Sequence, residues 1–300
     1  MRVAIATFAA MPTEFTDDQQ LVHALAALGA DAVSIPWDDA AADWSGFDSV
    51  VIRSTWDYTP RRDEFVAWAE SLGTRLHNSP DIVRWNSDKR YLADLAAAGI
   101  PVVKTVFVAP GDEVPDLVGE VVVKPTVSVG AKDSGRFSER THDQALALVE
   151  RIRGSGRSAM VQPYLTSIDD AGETGIVVLD GQPSHVLRKR SVLRPDEVAP
   201  VRDDAIGAAE VMYDPELVVA GTASPAEFAL ARTVVDHVAE RFAYVPLYGR
   251  VDMVTGADGA PVLMELELIE PHLYLDQAPG AGERVATAIV TRAAHQMLRP

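Results

Sequence analysis

Residues 248–268, YGRVDMVTGADGAPVLMELEL, hold, besides the turn residue Asp258, four charged side chains whose spacing has chemical consequences. Two alternating runs flank Asp258-Gly259, a dipeptide suited to a two-residue hairpin turn. That turn sets Asp252 opposite Glu265 and Arg250 opposite Glu267, and a symmetric widening at Pro261 leaves both pairs unchanged. Side chains alternate faces along a strand, so all four share one face. Val251, Met253, Met264, Leu266 and Leu268 take the other, which belongs in a core. Like charges opposed on a sheet are unfavourable unless a cation lies among them. Arg250 offsets one carboxylate, and the remainder suits hard divalent cations with oxygen ligands. A solvated acidic face on a half-exposed hairpin has the same alternation, so the pattern alone leaves both readings open.

A second hairpin is expected at Asp180-Gly181. A two-residue turn there sets Glu173 opposite Arg188, puts Arg190 on the same side and turns Lys189 to the other face. An exposed Glu–Arg pair is the ordinary alternative. Lysine is scarce: of 27 basic residues only Lys89, Lys104, Lys124, Lys132 and Lys189 are lysines. Lys124 ends a strand-like run, 120–125, just before a Gly- and Ser-containing loop, 128–135, whose backbone N–H groups are able to wrap an anion. Lys132 within that loop reads as a solvated side chain, and Lys104 as incidental.

The elements that must position these groups follow from periodicity. Strands are expected at 2–8, 32–35 and 49–53, with a helix opened by Asp17-Asp18, striped by Leu21, Leu25 and Leu28 and ended by Gly29. A second helix follows Pro60, with Phe65, Trp68 and Leu72 at helical spacing. Alternation of this kind predicts a small parallel sheet, ending near 80–85. Asn86-Ser87 reads as an N-cap for a helix carrying Lys89, Tyr91, Leu92 and Leu95 and closed by Gly99. Strands at 102–108, 120–125 and 159–163 and helices at 142–152, 225–242 and 282–298 complete the expectation. The 191–223 segment, rich in Pro, Asp and Ala, has weak periodicity, and a connection so long is functional or disordered.

Composition removes whole classes of function. The net charge of −17 opposes binding to a phosphate backbone, so nucleic acid is not an expected partner. No cysteine is present, which excludes disulfides, thiol nucleophiles and Cys-ligated zinc. The apolar start is broken by Pro12 and Glu14, too early for a signal peptide, and no run approaches a membrane span. A soluble cytoplasmic protein is expected. A homodimer is compatible with the sequence and not required by it.

With these motifs in order, GRVDMV followed by VLMELELIEP resembles the metal-binding strands of the ATP-grasp superfamily. The resemblance implies an ATP-grasp fold, α/β overall and α+β in its ATP-binding part, behind an N-terminal parallel-sheet domain. It implies domains at 1–85, 86–160 (with the phosphate lid) and 161–300 (with the metal site). It makes Asp252, Glu265 and Glu267 ligands for two Mg²⁺ ions, with a Glu where the commoner pattern has Asn. Arg250 would then steady the charge developing on the reacting carboxylate. Lys89 and Lys124 would reach ATP phosphates under the 128–135 lid, which brings Ser128 and Gly130 to them. MVQPYL resembles the hinge that receives adenine, through Gln162 and the backbone of Tyr164 and Leu165. Glu173, with Asp169 as rival, suits a ribose hydroxyl, and Arg188 and Arg190 suit the triphosphate or a substrate carboxylate.

Members of this superfamily phosphorylate a carboxylate, which a nitrogen then attacks, so the implied partner is a small amino-acid-like substrate. RSTWDY, at the end of a first-domain strand, offers Arg53 to a carboxylate and Asp57 to an amino group, beside Tyr58. Trp56 and Tyr58 serve equally as interface packing. The other stretches expected to set the substrate are 191–223, read as a cover that orders over the site, and 270–274. RSTWDY, ELELIEPHLYL and the length of 300 residues are similar to the cyclo-ligases that close O-ureido-D-serine to D-cycloserine. An intermolecular glutathione-synthetase-like or ribosomal-tail-modifying ligase is the second reading, and a non-catalytic nucleotide-binding regulator the third.

Overall fold

The computed structural model describes residues 1–11, 16–204 and 206–297; Pro12, Glu14, Ala205 and Leu298 fall outside these. The first sheet holds β1 (Arg2–Thr7), β2 (Asp31–Pro36), β3 (Ser49–Ile52) and β4 (Leu76–His77), parallel, in the order β2-β1-β3-β4. Helices α1 (Asp17–Ala27) and α2 (Arg62–Leu72) cover it. Leu21 and Leu25 of α1 are fully buried, whereas Leu28 has left the stripe and is 48% exposed. Strand order reverses between β1 and β3, and the RSTWDY run leaves β3 at that point.

Helix α3 (Pro80–Asn86) and helix α4 (Tyr91–Ala97) correct the N-cap reading. Asn86 ends α3, and Lys89 sits in the turn before α4 rather than on it. The Asn86 side chain instead donates to the Leu266 carbonyl at 2.8 Å and accepts from the Leu268 amide at 2.7 Å, tying this turn to a distant strand.

Next come β5 (Val106–Val108), β6 (Val121–Pro125), β7 (Gly135–Phe137), α5 (His142–Gly154), β8 (Ala159–Pro163) and α6 (Ser167–Ala171). They are followed by β9 (Glu173–Leu179), β10 (Gln182–Lys189), β11 (Glu197–Val198), β12 (Val218–Ala220), α7 (Pro225–Phe242), β13 (Tyr248–Thr255), β14 (Pro261–Glu267) and α8 (Ala281–Met297). Two antiparallel sheets result, β11-β7-β6-β8-β5 and β12-β10-β9-β13-β14. Each has one dry face. Val121, Val123 and Phe137 pack on Leu148, Val149 and Ile152 of α5. Ile176, Val251, Met253, Leu266 and Leu268 pack on Leu92 and Leu95 of α4 and on Val234 and Val238 of α7. Helix α7 starts at a full capping box, Ser224 with Glu227, and α8 returns to share a core with α1. Among the described residues no helix is long and apolar enough to cross a membrane.

The two hairpins depart from the register of a simple two-residue turn in different ways, one at its loop and one within its strands. In β13–β14 the loop is longer, Thr255 pairing with Pro261, and one extra residue in β14 restores Asp252↔Glu265 and Arg250↔Glu267. That bulge turns Met264 out of the core onto the wall of the cavity described next. In β9–β10 a bulge between Pro183 and His185 has no compensation. Glu173 therefore pairs with Lys189, and Arg188 with Thr174.

Candidate active site

The wet faces of the two antiparallel sheets enclose a cavity of about 210 Å³. Strand alternation explains its lining: Val121 and Val123 face the core, so Val122 and Lys124 face the cavity. On the opposite sheet Glu173, Lys189, Arg250, Glu265 and Glu267 face it in turn. Gly175, between Asp252 and Leu187, leaves the space that Asp252 and Arg250 occupy. A Cβ at Gly175 would lie 2.9 Å from Asp252 Oδ1 and 3.4 Å from Arg250 Cδ.

Charge in this cavity is balanced by the chain's own cations. Arg250 donates to Asp252 at 2.8 Å from Nε and again from Nη2, to Glu267 at 2.5 Å, and to the His272 carbonyl at 2.9 Å. Lys89 Nζ lies 3.0 Å from Glu265 Oε1 and donates to the Ser128 carbonyl at 2.9 Å, while Lys124 Nζ is 4.0 Å from Glu265 Oε2. Lys189 Nζ stands 3.5 Å from Glu173. Glu265 and Glu267 keep 25% and 28% of their side-chain surface open to the cavity. Burial pushes Glu265 up, but Lys89 and Lys124 outweigh it and hold its pKa at about 2. Burial pushes Glu267 up to about 8, and Asp252 and Glu265 add to that against Arg250. Burial lowers the Lys124 pKa, with Lys89 adding and Glu265 opposing.

Among the described residues no three His, Asp or Glu side chains converge as a ready metal cage. The donor set nevertheless fits a hard divalent cation: carboxylate oxygens from adjacent strands, one of them protonated more readily than usual because it is buried and negative charge is crowded there. Arg250 and Lys89 occupy the positions around those oxygens that a cation would take.

Most of the residues singled out by sequence meet here. Lys89, Lys124, Ser128, Gly130, Gln162, Tyr164, Leu165, Glu173, Arg250, Glu265, Glu267 and Tyr58 line the cavity, and Asp252 is held against it by Arg250. At the hinge, the Tyr164 amide donates to the Glu120 carbonyl at 2.7 Å and so is not free for a ligand, which leaves the Leu165 amide. Gln162 donates to Thr105 Oγ1 at 2.9 Å. Asp169, the alternative to Glu173, is committed to Arg136 at 2.9 Å and to Tyr164 OH at 2.6 Å.

Four expectations need correction. The bulge in β10 turns Arg188 away, where it donates to the carbonyls of Ala171 and Thr222, and leaves Arg190 exposed with Asp214 at 2.7 Å. Lys189 takes the place expected for them. The signal was Pro183, since proline inside a strand marks an edge or a bulge. Asp57 accepts from Trp37 Nε1 at 2.8 Å and Arg61 Nη2 at 2.9 Å and is absent from the cavity wall. Arg53 is 2% exposed, with Nη2 donating to the Pro271 carbonyl at 2.7 Å, and lines a separate small recess with Asp17, Asp18, Ser54 and His272.

Of the 270–274 stretch, Glu270, His272 and Tyr274 line the cavity. The roof joins both long loops. Ala209 N donates to the Gly130 carbonyl and Ala199 N to the Ser134 carbonyl, each at 2.8 Å, and Ile206, Ala208 and Met212 reach the cavity.

Comparison with known proteins identifies the family and the fold. Residues 3–78 match the family described as D-cycloserine synthetase DcsG, N-terminal domain. The cycloserine biosynthesis protein DcsG of Streptomyces lavendulae is 37% identical over 295 residues, covering 94% of this chain and 95% of that protein. The crystal structure of D-cycloserine synthetase DcsG superposes with a TM-score of 0.86 at 34% identity, covering 98% of this chain and all of the other. D-alanine–D-alanine ligase from Bacillus anthracis, complexed with ATP, superposes at 0.67 with 14% identity over 99% of this chain and 98% of its own, a likeness of fold.

Proposed function

We propose, for a chain that belongs to the D-cycloserine synthetase family of ATP-grasp ligases, that it closes O-ureido-D-serine to D-cycloserine with release of ADP and phosphate. ATP phosphorylates the substrate carboxylate, an internal nitrogen attacks the acylphosphate, and a five-membered ring forms with loss of the carbamoyl group. The observation that carries the reading is the facing of Lys89, Lys124 and Lys189 against Glu265 and Glu267 around one cavity, with Asp252 held behind them by Arg250. Three ammonium groups suit a triphosphate, and three carboxylates suit its counter-ions.

Asp252, Glu265 and Glu267 would hold Mg²⁺, two ions in our reading, which neutralises the phosphates during transfer. The chain's own side chains do the rest. Lys89 and Lys124 exchange Glu265 for phosphate oxygens. Arg250 steadies the reacting carboxylate, and Glu173 takes the ribose. The Leu165 amide and Gln162 meet adenine. The 128–135 loop and the 191–223 segment together exclude water, to which an acylphosphate is sensitive. Domains at 1–85, 86–160 and 161–300 and a cytoplasmic setting belong to the same reading.

Two measurements test it. Phosphate release from ATP should need O-ureido-D-serine alone, and D-cycloserine should appear with it. A requirement for a second amine would replace ring closure with intermolecular ligation. Glu265→Gln and Asp252→Asn should each fold and abolish phosphate release, and near-normal release by either would remove the metal assignment.

A further inference from the structure

Two stretches that the ATP site leaves unused, 53–58 and 270–274, are fastened to each other. Arg53 Nη2 donates to the Pro271 carbonyl at 2.7 Å, and Trp56 Nε1 donates to the Glu270 carbonyl at 3.0 Å. Tyr58 lies beside the Glu270 carboxyl, and the two act on each other's ionisation. Tyr248 OH holds the preceding carbonyl, that of Ile269, at 2.8 Å. Tyr58 is in turn fixed by stacking on Phe65 at 4.5 Å. Arg53 and Trp56 thus hold the backbone at and after Glu270, Tyr248 holds it before, and Tyr58 adjoins the carboxyl, all four side chains being buried.

Ordering four large side chains costs conformational entropy, and packing alone does not require a carboxyl group at their focus. Glu270 lies on the cavity wall, in company with Lys89, Glu265 and Glu267. The titratable groups acting on it are Lys89, Tyr58, Tyr248, Glu265 and Glu267. Burial raises its pKa to about 7, with Lys89 and Tyr58 opposing and Glu265 adding.

Ring closure needs a group that the phosphate machinery does not supply. A ureido nitrogen is a weak nucleophile while it keeps its proton. We infer that Glu270 is the base that accepts this proton, with Tyr58 as its positioning residue. The inference rests on the ligase reading above. The nitrogen lone pair attacks the acyl carbon and forms the C–N bond as the bond from that carbon to the phosphate oxygen breaks. Phosphate leaves with the electron pair. The N–H proton passes to the Glu270 carboxylate, which returns it to water after the product departs.

Hydroxylamine separates the two half-reactions, because it captures an acylphosphate as the hydroxamate without help from a base. Glu270→Gln, with ATP, Mg²⁺ and O-ureido-D-serine, should form hydroxamate within about threefold of the wild-type rate while D-cycloserine formation falls roughly 100-fold or more. Tyr58→Phe should lower ring closure about tenfold and leave hydroxamate yield and the KM for ATP unchanged. Ring closure by Glu270→Gln at near the wild-type rate, or parallel loss of both products, overturns the assignment. Should Glu270→Gln fail to fold, Tyr58→Phe decides by the same ratio. Wild-type enzyme that forms neither product overturns the substrate reading instead.

Discussion

Arg250→Met removes the guanidinium on which the carboxylate cluster depends. Arg250 donates at 2.8 Å to Asp252 from two nitrogens and at 2.5 Å to Glu267, and its own side chain is 8% exposed. Methionine approximates its length and leaves Asp252, 7% exposed, without its cation. Breaking a buried pair from one side costs about 3–5 kcal/mol. At about 2–4 °C per kcal/mol for a chain of this size, the metal-free melting temperature should fall by roughly 6–20 °C. Two further results distinguish charge from packing. Above pH 8, where Glu267 ionises, adding Glu267→Gln to the variant should recover part of the loss, because one of the stranded carboxylates is then neutral. The loss should also shrink from pH 8 toward pH 5, since burial and like charge already hold Glu267 up at about 8 and protonation relieves the crowding. Differential scanning calorimetry on the variants in EDTA measures all three. A fall of less than about 2 °C, or an equal fall above pH 8 with and without Glu267→Gln, would refute the argument that Arg250 neutralises the cluster.

The bulge in β10 makes Lys189→Met and Arg188→Met unequal: the first should abolish phosphate release, and the second should leave it within about threefold, because only Lys189 faces the cavity. Equal losses would contradict the register. Gly175→Ala places a Cβ 2.9 Å from Asp252 Oδ1 and must shift that carboxylate by a few tenths of an ångström. Steady-state assays should find Mg²⁺-dependent turnover reduced roughly 10- to 100-fold with nucleotide affinity largely kept; full activity would mean Asp252 is not placed to act. Glu267 and Glu270 have pKa values raised from 4.5 to about 8 and about 7, so each binds more protons folded than unfolded between those limits. Below about 6.5 this is opposed by His77, whose burial lowers its pKa from 6.5 to about 4, and by His185, lowered likewise. Metal-free stability should therefore fall as pH rises from roughly 6.5 to 8, while Glu265, held at about 2, loses its contribution only below 4.5. Melting curves that rise steadily across that range in EDTA would reverse the sign.

The parallel first sheet, the two hairpins, the helices at 142–154 and 225–242 and the carboxylate cluster were all legible in the chain. Their signals are local: period-two alternation, turn dipeptides, helical spacing of apolar residues. Where pairing alone was at issue the outcome depended on single inserted residues. In β13–β14 a longer loop and a bulge offset each other, and Asp252, Glu265, Arg250 and Glu267 stand as alternation requires. In β9–β10 one uncompensated bulge exchanged Arg188 for Lys189, because a slip of one residue turns every later side chain to the opposite face.

Composition could not say that Asp57 is spent on Trp37 and Arg61, that Asn86 caps a strand edge 180 positions away, or that the 128–135 loop and 191–223 hydrogen-bond into one roof. Nor could it say that RSTWDY and the stretch after ELEL, more than two hundred residues apart, grip one another around Glu270. The residue types and their faces are properties of short runs of chain. Which hydrogen-bonding group each one meets depends on packing between distant segments, and only the assembled tertiary structure decides it.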